Sequence, residues 1–143
     1  MTFSDTAIRK NIDNTPNIEQ IVNITNVCNH ILQPVRDHFG KVVRINSGYR
    51  SVKLCEAVGS SGKSQHAKGE AADFEINGLS NAELATWCYK NLDYDQLILE
   101  YYDPQGDPNS GWVHCSYKKD GSGRKSSIII NKHTKGKYLP WKP

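Results

Sequence analysis

No stretch of this sequence approaches the run of about 20 apolar residues that a bilayer-spanning helix needs, so no stable membrane association is expected. Its opening residues, MTFSDTAIRKNIDN, lack the apolar segment of a secretory signal. Work outside a cytoplasm would therefore depend on release by another agent. Cysteines are few and scattered: Cys28, Cys55, Cys88 and Cys115 form no C-x-x-C pair. That spacing excludes a zinc ribbon and a dense disulfide framework, and leaves at most one disulfide. Each cysteine is expected to act as a small buried apolar residue. Internal repeats and low-complexity linkers are also missing. With 143 residues, a division into two domains would leave each with a marginal core, so one domain over 1–143 is expected.

Acidic residues all but vanish after Tyr117. From Lys118 to Pro143 there are eight basic residues and one acid, Asp120, for a net +7, whereas the first 117 residues carry −4. Such an end, with a basic tail over 131–143, suits either a solvated strand and tail or contact with an anionic polymer. The basic residues are not organised around a nucleic-acid reading element, so no nucleic-acid partner is expected.

What is present alternates between helical and strand patterns. Ile21, Ile24, Val27, Cys28, Ile31 and Val35 recur at helical spacing within 18–39, with Asn17 as N-cap, Pro34 as a kink or end, and Gly40 as a stop. KVVRINSGYR reads as a strand entering a turn, 51–58 as a short helix, and GSSGKSQHAKG as a loop. AADFEI, DQLILEYY, GWVHCSY and SSIIIN read as strands, and SNAELATWCYKNL as a capped helix. Without a regular β-α-β repeat, the expected class is α+β, a small antiparallel sheet with helices packed on one side.

Chemistry concentrates in Ser64-Gln65-His66-Ala67-Lys68-Gly69-Glu70-Ala71-Ala72-Asp73. A catalytic zinc takes about three nitrogen or oxygen ligands and keeps one position open for water. Gly69 permits a tight bend that lets His66, on a loop, converge with Asp73, on the following strand. In Gly111-Trp112-Val113-His114-Cys115-Ser116, alternation puts His114 on a polar face and Val113 and Cys115 on an apolar one. On the preceding strand Gln96, Ile98 and Glu100 share a face. Pairing of the two strands would send Glu100 and His114 into one cleft, where an acid could shuttle protons for a metal-bound water.

The pattern S-x-H-x-x-G-x-A-x-D followed far downstream by W-x-H resembles the zinc D-Ala-D-Ala carboxypeptidase family, and most closely its compact phage-type members that cleave peptidoglycan peptides. SDTAIRKNIDNTP, ILQPVRDHFGKVVRINSGYRS, SQHAKGEAADF, DQLILE and GWVHCSY carry the resemblance in order, over roughly residues 3–130. It implies one zinc ion held by His66, Asp73 and His114. It also implies an arginine, Arg50, that polarises the scissile carbonyl or grips a substrate carboxylate, and places Ser64 and Gln65 in loop ordering or peptide binding.

Two departures stand out. Many relatives carry their catalytic acid three residues before the last histidine, where this chain has Gly111. Glu100 is the expected replacement, with Asp103 and Asp107 as rivals. Cys55 stands where close relatives have asparagine. The resemblance thus implies a monomeric peptidoglycan peptidase of a phage, for lysis or in the virion. It would be held in the host cytoplasm before release and act at the cell wall. The alternative is a zinc-containing wall-binding module that has lost catalysis.

Overall fold

The computed structural model describes residues 1–143. Helix α1 (Asp5–Arg9) is followed by α2 (Ile18–Val27), α3 (Gln33–Phe39), α4 (Val52–Ala57) and α5 (Asn81–Asn91). The strands are β1 (Arg44–Ser47), β2 (Ala71–Glu75), β3 (Gln96–Glu100), β4 (Trp112–Ser116), β5 (Ser126–Ile130) and β6 (Leu139–Pro140). They form one sheet in the order β1-β2-β4-β3-β5-β6.

Asn17 starts α2 with a reciprocal cap: its side chain accepts from the Gln20 N–H, and the Gln20 side chain accepts from the Asn17 N–H, both at 2.8 Å. Pro34 neither ends nor stops the helical run. A single wide π-turn over Cys28–Leu32 joins α2 to α3. There the Gln33 N–H donates to the Cys28 carbonyl five residues back, which makes room for the proline ring. Gly40, at φ +63°, closes α3.

Helices α2, α3 and α5 and the π-turn between the first two bury Val27, Ile31, Val35, Leu84 and Cys88 against Phe74, Leu97, Leu99, Val113 and Cys115 of the sheet. Because strand residues alternate, the opposite sheet face carries Asp73, Ile98, Glu100 and His114. The four cysteines are free thiols; Cys55, Cys88 and Cys115 are buried and Cys28 half-buried. The sheet departs from the expected antiparallel plan at one place, where β5 runs parallel to β3. After β4 the chain crosses to the far side of β3 through residues 117–125. The basic end is likewise no loose tail, since β6 pairs with β5 and the Trp141 N–H donates to the Ser127 carbonyl at 3.0 Å.

Candidate metal centre

His66 sits in a 3-10 turn, Gln65–Lys68, started by Ser64, whose hydroxyl accepts the His66 N–H at 3.2 Å. Gly69 ends the turn at φ +75°, and a methyl there would approach the Gln20 carbonyl oxygen to 2.7 Å. Helix α2 grips the same turn: Gln20 and Asn23 side-chain amides donate to the Ala67 and Lys68 carbonyls at 3.2 and 2.9 Å. The chain then enters β2, where Asp73 lies directly across from His114 of β4.

This delivers three donors to one point. Asp73 Oδ1 is 3.3 Å from His66 Nε2 and 3.0 Å from His114 Nδ1, and one donor atom from each residue lies within 4.8 Å of the others. All three side chains are buried. The outward ring nitrogens face acceptors: His66 Nδ1 donates to the Gly48 carbonyl at 2.7 Å, and His114 Nε2 donates to Gln65 Oε1 at 2.8 Å. A metal at the centre would take the inner nitrogens, His66 Nε2 and His114 Nδ1, as lone-pair donors while the outer ones keep their protons on these acceptors. Two ring nitrogens and a carboxylate oxygen converging on one point suit a cation, and that donor set is one that zinc accepts. Burial alone would raise the Asp73 carboxyl. The hydrogen bonds from His114 and His66 outweigh it and hold the group far below the usual carboxylate range.

Glu100 joins the same site. Strands β3 and β4 pair as expected, with Ile98 opposite His114 and Glu100 opposite Trp112. Glu100 Oε1 lies 3.9 Å from His114 Nδ1. Burial, reinforced by the Asp73 charge, pushes its carboxyl up to about 7, against the pull of His114 and Arg50. The rivals are elsewhere: Lys132 and His133 hold Asp103 at 2.8 and 3.0 Å, and Asp107 is exposed in its turn. Neither lines the cleft.

Gly111 leaves no room for an acid at its own position. It has φ +70°, and a side chain there would overlap the Glu100 carbonyl oxygen and press on the Tyr101–Tyr102 backbone. The position that bears an acid in many relatives is here the place where two strands close on each other.

Arg50 completes the cleft, an opening of about 440 Å³ that also takes in Ser64, Gln65 and Trp112. Its guanidinium has no ion-pair partner, and its Nε is buried without a hydrogen bond. The Arg50 N–H donates to the His66 carbonyl at 3.1 Å, and Cys55 Sγ reaches the Arg50 carbonyl at 3.5 Å. Asn14 ties the turn down by donating to the Tyr49 carbonyl at 3.1 Å and accepting the Ser51 N–H at 2.7 Å. Arg124 and Tyr138 also line the cleft, and no sequence pattern marks them. His30, His38 and His133 stay outside it, the first two stacked on Tyr117 and Trp87.

An α+β sheet carrying a buried His-Asp-His donor set, with a carboxylate and an unpaired arginine in the same cleft, defines a metal-dependent hydrolase. A family model described as Peptidase M15 matches residues 1–116, and the chain belongs to that family, the zinc-dependent D-Ala-D-Ala carboxypeptidases. It is accordingly a metallopeptidase, and the family implies a peptidoglycan substrate. Comparison with curated proteins finds no match.

Proposed function

We propose that this protein is a zinc peptidase that hydrolyses peptide bonds in the stem peptides of bacterial peptidoglycan, with His66, Asp73 and His114 as ligands. The observation that carries the reading is the convergence of three buried donors whose outer nitrogens are already committed. Bound zinc supplies a water of lowered pKa and a polarised carbonyl. Glu100 takes a proton from the attacking water as the carbon–oxygen bond forms. It returns that proton to the departing amine nitrogen as the carbon–nitrogen bond breaks. Arg50 donates to the carbonyl oxygen as negative charge builds there, which its unpaired guanidinium leaves it free to do. Ser64 orders the turn by accepting the His66 N–H, and its own O–H stays free to donate to peptide in the cleft.

The catalytically silent alternative draws on the missing acid at Gly111 and on the basic end; Glu100 in the cleft supports the enzyme reading over it. Both trimming from a carboxyl terminus and internal cleavage fit an open cleft. Its setting is phage lysis or a virion-associated wall enzyme, a reading supported by the resemblance to phage-type members and by the basic end.

The test is release of new amino and carboxyl groups from purified peptidoglycan. Wild type should release them, while His66→Ala and chelator-treated protein should lose at least a hundredfold, with zinc restoring only the chelated sample. Undiminished hydrolysis by all three samples would refute the mechanism. Analysis of the released peptides identifies the bond.

A further inference from the structure

Both ends of the Gln65 amide are engaged within the protein. Its Oε1 receives the His114 Nε2 proton at 2.8 Å, while its Nε2 donates to Asp95 Oδ2 at 2.9 Å. Asp95 lies between α5 and β3, is 1% exposed, and opens the DQLILE segment, outside the ligand motif. Arg124 grips it as a fork, Nε to Oδ1 at 2.9 Å and Nη2 to Oδ2 at 3.0 Å, and the Arg124 N–H adds a third bond at 3.1 Å. The Ser116 hydroxyl lies 3.5 Å from Oδ2.

We propose that Asp95 is a positioning residue for the metal centre, acting through Gln65 on His114, with Arg124 as its anchor. The logic is one of donors and acceptors. A carboxylate can only accept, so Gln65 must turn its NH2 toward Asp95 and its carbonyl oxygen toward His114. A carbonyl oxygen can only accept, so Gln65 takes the Nε2 proton that His114 must keep once Nδ1, 3.0 Å from Asp73 Oδ1, is given to a metal. The Asp95 charge thus sets an amide orientation, and the amide holds the ring so that Nδ1 is presented as a ligand.

A purely structural role does not account for this arrangement. Replacing a buried charge and its partner with apolar side chains is often neutral for stability, so the ion pair needs no place here on that ground. Arg124, moreover, lies beyond the residues matched by the family model, on the crossover between β4 and β5. The far end of the chain thereby braces a ligand in the middle of it. Outer contacts of this kind typically change metal affinity by about 10–100-fold when removed.

The inference rests on the zinc reading for its consequence but not for its measurement. In metal-free protein, nitrogen-15 NMR should find the His114 Nε2–H slow to exchange with solvent in wild type and fast to exchange in Gln65→Leu and Asp95→Asn. Zinc affinity, measured by chelator competition, should fall about 10–100-fold in each single variant. The Gln65→Leu/Asp95→Asn double variant should fall no further than Gln65→Leu alone, because the path is already cut. Arg124→Lys keeps a cation for the Asp95 carboxylate while losing the two-point fork, so it should fold, and it should weaken zinc binding severalfold.

Additive losses in the double variant, or single variants within twofold of wild type, would overturn the proposal. Wild type that binds no zinc but keeps this dependence of exchange on Gln65 and Asp95 would instead overturn the metal reading and leave the relay standing.

Discussion

Glu100 pulls activity and stability in opposite directions. In metal-free protein its folded pKa, about 7, lies above the unfolded value, so the folded chain binds the extra proton between roughly pH 4.5 and 7. Stability from this group is therefore present below the unfolded pKa and lost as pH rises through 7. The loss is at most about 3 kcal/mol by pH 8, and less where solvent reaches the carboxyl. Glu100→Gln cannot ionise and escapes it. Metal-free Glu100→Gln should melt several degrees above metal-free wild type at pH 8 and at a similar temperature at pH 4.5. With zinc, its kcat should fall about 10²–10⁴-fold at little change in zinc affinity. Unchanged turnover would remove Glu100 as the proton carrier. Differential scanning calorimetry and steady-state kinetics read the two halves separately.

Residues at this scale differed in how visible they were. His66, Asp73 and His114 were legible because ligand spacing and small neighbours leave a pattern in the chain. Glu100 was legible through alternation alone, since Leu97 and Leu99 had to face the core. Arg124 left no trace, and Asp95, though it opens DQLILE, carried no sign of its role, because the two meet across 29 positions.

Among elements, the β3–β4 closure makes the sharpest demand. Gly111 combines a left-handed backbone with direct contact on the facing strand. Any side chain there meets both penalties, together at least about 3 kcal/mol. Placing the acid where many relatives carry it should therefore fail: Gly111→Glu in a Glu100→Gln background should restore no hydrolysis and should lower the melting temperature. Recovered activity would show that the strands tolerate the older arrangement. Gly69→Ala should act more locally, displacing the His66 turn from α2 and weakening zinc binding with a smaller loss of stability.

The longer elements were readable because each buries several apolar residues at one period. Helix α1 was not, since it buries only Ala7, and one buried residue has no period. The π-turn before Pro34 was equally hidden, as it depends on the chain finding space rather than on a residue type. Strand β6 spans two residues and exists only by pairing with β5.

Over the whole molecule, charge is segregated along the sheet. The strongly basic end forms β5, β6 and their turns at one edge, and Lys135, Lys137 and Lys142 are exposed there without ion-pair partners. Such an edge should favour encounter with an anionic wall, and screening should weaken it as the Debye length falls from about 10 Å at 0.1 M salt to about 3 Å at 1 M. Hydrolysis of intact wall should drop roughly tenfold between 0.05 and 0.5 M salt, while cleavage of a short soluble peptide changes little. The triple change Lys135→Glu, Lys137→Glu, Lys142→Glu should mimic high salt. Equal salt responses for wall and peptide would take this edge out of the encounter. The α+β class was visible in the mixed order of elements. The parallel β3–β5 pair was not, because nothing in residues 117–125 signals which side of β3 the chain will take.

The four thiols carry a consequence of a different kind. Burial pushes Cys28, Cys55, Cys88 and Cys115 above the ordinary thiol range, so little reactive thiolate forms at neutral pH. The fold holds together by packing and hydrogen bonds, with no covalent cross-link whose survival depends on redox poise. Dithiothreitol and a mild oxidant should each leave the melting temperature unchanged, and a thiol-labelling reagent should react only as fast as the native state opens. A protein built this way meets reducing and oxidising surroundings as the same molecule.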